Sequence, residues 1–166
     1  MMLGLSFSAF TTLHVVISLI GIASGLVVLY GLTTAQKLET WTAVFLATTI
    51  LTSVTGFMFP IGGLTPGLVI GAISLVVLAV ALTALYVFRL AGPWRWVYVV
   101  TALLALYLNV FVGVVQAFKQ LALLQPLAPT QSEPPFAVAQ VAVLALFLAA
   151  GFLALRRFHP QAAAPA

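Results

Sequence analysis

The chain is predicted to be an all-α polytopic membrane bundle with five transmembrane helices. Three observations predict it. Hydrophobic residues make up 64% of the 166 positions and charged residues only 5%, against roughly 25% charged in a soluble domain. The apolar residues collect into five continuous runs, each close to the ~20 residues a spanning helix needs. The six Lys and Arg sit between these runs or at their ends. The runs do not alternate in polarity, which argues against a membrane β-barrel. The length suits a single five-helix domain over residues 1–158, followed by a tail, 159–166, expected to be disordered.

The first run is Thr11–Leu32. The preceding MMLGLSFSAF lacks a positive n-region, and the run is longer than a signal-peptide core, so it is read as a retained helix. The second run is Trp41–Phe59. Thr65 is placed to cap the third, Gly67–Phe88, with Pro66 at its first position. Gly92 suits a helix C-cap and Pro93 the start of the fourth, Trp94–Phe118. Short links make spans two, three and four antiparallel neighbours. The next link, Gln125–Pro135, holds Pro126, Pro129, Pro134 and Pro135. It must leave helix at Pro126, and Ser132 can cap the fifth span, Phe136–Leu155.

The fourth span is the expected centre. Tyr98, Ala102, Ala105, Asn109, Gly113, Gln116 and Gln120 recur at steps of three or four and form one small or polar stripe. Such a helix turns its bulky side to lipid and its small side to other helices. Gly21 and Gly25 form a GxxxG pair on the first span, and Gly67 and Gly71 another on the third. Gly113 is expected to face a helix. Gly31 lies off the first stripe and is expected to tolerate a side chain.

With five spans, one side receives Lys37, Arg89, Arg95, Arg156 and Arg157, and the other only Lys119. The positive side is cytoplasmic, which places the N-terminus outside and the C-terminus inside. Trp41, Trp94 and Trp96 fall at the same boundary, where indole rings prefer to sit. The net charge of +4 is scattered, with no basic helix face, so no nucleic-acid partner is expected.

Depth then follows at about 1.5 Å per residue. His14, Ser18, Thr52, Thr55, Asn109, Gln116 and Gln140 come from four helices and crowd into the outer half. One reading is a ligand site: a pocket open outward, roofed by the proline-rich link, holding a small amphipathic molecule such as a lipid head group or a quinone. The other is structural. Membrane Ser and Thr usually bond their own backbone, and Asn or Gln can join helices at about 0.6 kcal/mol each.

Several chemistries are excluded or disfavoured. There is no Cys and no Asp. No carboxylate lies inside a span for a proton relay. A single His within the spans makes no zinc site, and a His14/Met58 haem pair is disfavoured, so no cofactor or metal is expected. No nucleophile-base set is found, so the chain leans away from enzymes.

The stretch Ala128-Pro-Thr-Gln-Ser-Glu-Pro-Pro-Phe136, with the helix from His14 to Gly25, resembles the small uncharacterised multi-span membrane proteins of proteobacteria. The resemblance implies a bacterial inner-membrane location and assigns no functional residue. Two functions stay open: an amphipath-binding protein, or a structural accessory subunit of a larger membrane complex. In the second case the GxxxG faces dock other chains, whether copies of this chain or a membrane protein partner.

Reporter fusions at Lys37 and at the C-terminus are expected to read cytoplasmic, and a fusion at Thr130 periplasmic. A cytoplasmic signal at Thr130 would invert every depth assignment.

Overall fold

The computed structural model describes residues 4, 6–60, 63 and 65–159. Five long helices follow one another: α1 (Phe7–Thr33), α2 (Glu39–Phe57), α3 (Pro66–Leu82), α4 (Trp94–Gln120) and α5 (Pro134–Arg157). A π turn over Thr83–Val87 extends α3, so the third span runs Pro66–Val87. All five are long and apolar enough to cross a membrane. No strand occurs among the described residues. The tail expected to be disordered falls, from residue 160 on, outside the described residues.

Local signals set several ends. Ser6 caps α1 by accepting from the Ala9 N–H, which starts the helix four residues before Thr11. Thr65 accepts from the Leu68 N–H, and Pro66 occupies the first turn of α3, where no N–H is needed. Other ends differ from the sequence reading. The N-cap of α5 is Glu133, not Ser132. The Glu133 carboxylate folds back into the link, accepting from the Thr130 and Ser132 N–H groups and the Thr130 hydroxyl. Desolvation raises the Glu133 carboxyl, but these hydrogen bonds outweigh it and hold its pKa below the usual value.

Helix α4 stops at Gln120, well before Pro126, and a short 3-10 turn covers Gln125–Leu127. The link folds onto the helix it has left: Ala128 is buried, and Gln131 Nε2 donates to the Val115 carbonyl. At the other end of α4, the left-handed positions that end the third span belong to Arg89 (φ 48°) and Leu90 (φ 61°), ahead of Gly92 (φ 51°). Helix α4 starts at Trp94 as expected, with Pro93 as its N-cap and not its first helical residue. A non-glycine residue in the left-handed region, as at Arg89 and Leu90, costs on the order of 1–3 kcal/mol. Burial of Leu90 and flat stacking of Phe88 on Trp94, with ring centroids 3.8 Å apart, offset it.

Helix α4 is the hub, touching α1, α2, α3 and α5. Its stripe holds at Tyr98, Ala102 and Ala105, all buried, and Asn109 is half-buried. It runs out beyond that: Gln116 and Gln120 are exposed. Helices α1 and α2 form the most extensive pair. A Cβ on Gly25 would collide with the Leu106 and Phe45 side chains, so α1 approaches α2 and α4 at once only because Gly25 has none. The third-span pair is less equal. A Gly71 Cβ would meet the Phe57 ring of α2 at 3.3 Å, whereas Gly67 has only its own Thr65 hydroxyl near, at 3.9 Å.

One glycine expectation changes. A Gly31 Cβ would lie 2.9 Å from Leu38 Cδ1 and 3.0 Å from the Gln36 carbonyl. The chain turns sharply after α1 and folds back over Gly31, so this position is tight. Gly113 does face a helix, but through one flexible atom, Ile22 Cδ1, at 3.3 Å.

Helix α5 is peripheral, with Ala154 its one buried residue. It packs on α4 and α1. Polar side chains pin it at both ends. Gln140 Nε2 donates to the Phe111 carbonyl, and Arg95 Nη1 donates to the Leu155 and Phe158 carbonyls at the helix terminus, where a cation is favoured.

Gly25→Leu is expected to destabilise the bundle by about 1–3 kcal/mol through overpacking. Gly67→Ala, with open space around it, is expected to leave stability unchanged. Thermal melting in detergent compares them; equal tolerance at both positions would contradict the packing at Gly25.

Candidate functional site

The polar side chains of the spans form a seam along α1, α2 and α4. It begins near the Lys119 end with His14 on α1. His14 Nδ1 lies 2.7 Å from Thr55 Oγ1 on α2. The Thr55 hydroxyl also reaches the Leu51 carbonyl at 2.7 Å. A hydroxyl has one proton, so with that proton on Leu51 the ring donates through Nδ1 and keeps Nε2 as an acceptor. Gly56 borders the ring, and a Cβ there would stand in ordinary contact, 3.8 Å from His14 Cε1. Phe59 closes the other side edge-on, 5.2 Å between centroids.

Deeper, the seam reaches the middle of the bundle. Asn109 Nδ2 from α4 and the Thr48 and Thr49 hydroxyls from α2 all lie 3.1–3.3 Å from where a Gly21 Cβ would stand. The missing side chain of Gly21 is what lets three polar groups gather there. Thr48 satisfies itself on the Val44 carbonyl. Asn109 Nδ2, Thr49 Oγ1 and Thr52 Oγ1 are buried with no hydrogen-bond partner. Each such group costs roughly 1–3 kcal/mol, with no lipid-side water to relieve it.

The seven residues singled out by sequence are thus only partly brought together. His14 and Thr55 bond directly. Thr52 and Asn109 belong to the same seam as unpartnered groups. Ser18 turns its hydroxyl onto the His14 carbonyl of its own helix. Gln116 is exposed. Gln140 spends its amide nitrogen on the α4 backbone, leaving its Oε1 buried without a partner. Thr49 and Gly21 were missed as members of the site. The signal for Thr49 was its place one heptad after Thr42, on the face of α2 that also buries Phe45, Leu46 and Ser53.

A second polar region lies at the arginine end. A cavity of about 310 Å³ opens between the end of α1, the start of α2, the π turn, Leu90, Tyr98 and Phe158. Between it and the seam lies an apolar layer centred on Gly25, Phe45 and Leu106 with no room for water. No group of three or more His, Asp or Glu that could hold a metal ion occurs among the described residues.

Asn109→Leu removes a buried donor that has no partner. It is expected to leave stability unchanged or raise it by up to about 1–3 kcal/mol, measured by unfolding in detergent. A loss above about 1 kcal/mol would mean that the amide is satisfied by bound solvent or ligand. No protein-family model matches the chain, and neither a curated protein nor a solved structure matches it.

Proposed function

We propose that the chain is a multi-pass protein of a bacterial inner membrane, N-terminus outside, that binds a small amphipathic molecule in its outer half. The observation that carries this reading is the set of three unpartnered buried polar atoms on Thr49, Thr52 and Asn109. Buried polar groups without partners are rare in folded proteins and point to a missing one. His14 offers Nε2 as an acceptor at the mouth of the same seam. His14, Thr52 and Asn109 each keep part of their surface open, which suits entry of a lipid head group or a quinone ring while its tail stays in lipid. The orientation rests on the five-to-one distribution of Lys and Arg between the two ends.

The accessory-subunit reading draws on α5, which has a single buried residue, Ala154. It loses its GxxxG argument on the first span, because Gly21 and Gly25 are used against α2 and α4.

Titration of detergent-purified protein with a lysophospholipid tests the proposal. His14→Ala is expected to weaken saturable binding by about three- to tenfold, the worth of one buried hydrogen bond, with little change in melting temperature. Binding unaffected by both His14→Ala and Asn109→Leu would overturn the reading in favour of an accessory role.

A further inference from the structure

The cavity at the arginine end is separate from the seam, and its walls have their own chemistry. Five elements build it. Val28 and Leu32 come from α1, Thr42 and Ala43 from α2, Leu85 and Tyr86 from the π turn, Tyr98 from α4, and Phe158 from beyond α5. Its volume, about 310 Å³, stands at the small end of ligand pockets, roughly 300–1,000 Å³. It accommodates a head group or ring, not a whole lipid.

The polar groups on its walls decide what kind of head group fits. Two of them are buried: Thr42 at 6% exposure and Tyr98 at 2%. They are neighbours across α2 and α4, and both are uncharged hydroxyls. The charged residues on the lining, Lys37 and Glu39, neutralise each other at 2.9 Å and are largely exposed, so they stand at the mouth. Arg95 is nearby in sequence but is committed to the Leu155 and Phe158 carbonyls. An anionic head drawn into this space would therefore lose its hydration without meeting an unpaired cation on the lining. That loss costs several kcal/mol and two hydroxyls do not recover it. A neutral head with carbonyl acceptors needs only what Tyr98 can donate.

Shape points the same way. Tyr98 and Phe158 stand with ring centroids 6.3 Å apart at 42°, and Tyr86 adds a third ring to the lining. Flat aromatic walls favour a planar guest. Tyr86 is 57% exposed and Val87 beside it 68%, so a tail leaves along this surface into lipid. The π turn that carries both is a rare element that often accompanies functional sites.

We infer that this cavity is a binding site for a neutral amphipath with a planar, hydrogen-bond-accepting head of the quinone type. The head accepts from the Tyr98 hydroxyl, which Thr42 supports from beside it, and the tail passes Tyr86 into the membrane. This site does not depend on the His14 seam.

The probe is a decyl-substituted benzoquinone, titrated into full-length protein in mild detergent and followed by calorimetry. Decanol serves as a neutral aliphatic control and phosphatidylglycerol as an anionic competitor. Saturable binding is expected, weakened about three- to tenfold by Tyr98→Phe and by Thr42→Val and unchanged by His14→Ala. Ala43→Trp, at the rim, is expected to block it. Because Tyr98 is a core residue, melting temperatures accompany each titration; if Tyr98→Phe fails to fold, Thr42→Val and Ala43→Trp carry the test. Binding that responds to His14→Ala and not to Thr42→Val would belong to the seam and overturn this assignment while sparing the first proposal. Equal binding of decanol would overturn the planar head, and displacement by phosphatidylglycerol would overturn the neutral one.

Discussion

The bundle depends on the close approach of α1 to α2 and α4 at Gly21 and Gly25. In lipid there is little hydrophobic force between helices, so association rests on packing and a few hydrogen bonds. Packing of that quality needs backbones to come near. Gly25 lets Phe45 and Leu106 meet against α1, and Gly21 lets Thr48, Thr49 and Asn109 gather around its bare Cα. One turn apart on a single helix, the two glycines therefore do opposite things. Gly25 closes a dry layer and Gly21 opens a polar one.

This division organises the protein along the membrane normal. Near the Lys119 end, His14 and Thr55 tie α1 to α2. The middle holds polar groups with nothing to bond. Below them the Phe45 and Leu106 layer is sealed. At the arginine end a cavity opens beneath the Lys37–Glu39 pair. The dry layer keeps the two polar regions apart, so they form two regions and not one channel. A continuous wet path would need that layer to part.

The outer helix is held differently from the other four. Helix α5 has one fully buried residue, so its packing is shallower than that of the other four. Beside the ring contacts of Phe136 with Phe118 and Phe147 with Tyr107, it is held by side-chain to backbone bonds: Gln140 to Phe111 and Arg95 to the α5 terminus. In a medium without water such bonds have few competitors. The link before it is anchored by Gln131 on Val115 in the same way, and its glutamate serves the loop and not the helix.

By itself the sequence determined the five helices, the centrality of Trp94–Gln120 and the gathering of charge at one end. These follow from local composition: apolar length, proline and threonine at the helix starts, and where Lys and Arg fall. It also marked the members of a polar seam, since His14, Thr52, Thr55 and Asn109 are conspicuous in apolar surroundings. Only the tertiary structure decided which of them meet. Asn109 and Gln116 share a stripe two turns apart, yet one turns its amide nitrogen in against Gly21 and the other is exposed. Gly31 looked free until the turn after α1 folded Leu38 over it. The arginine-end cavity was invisible because its walls come from five elements and its polar groups, Thr42 and Tyr98, look like ordinary packing residues in sequence. A helix's periodicity says which residues share a face; what stands opposite that face is set by the neighbours, and no local pattern encodes them.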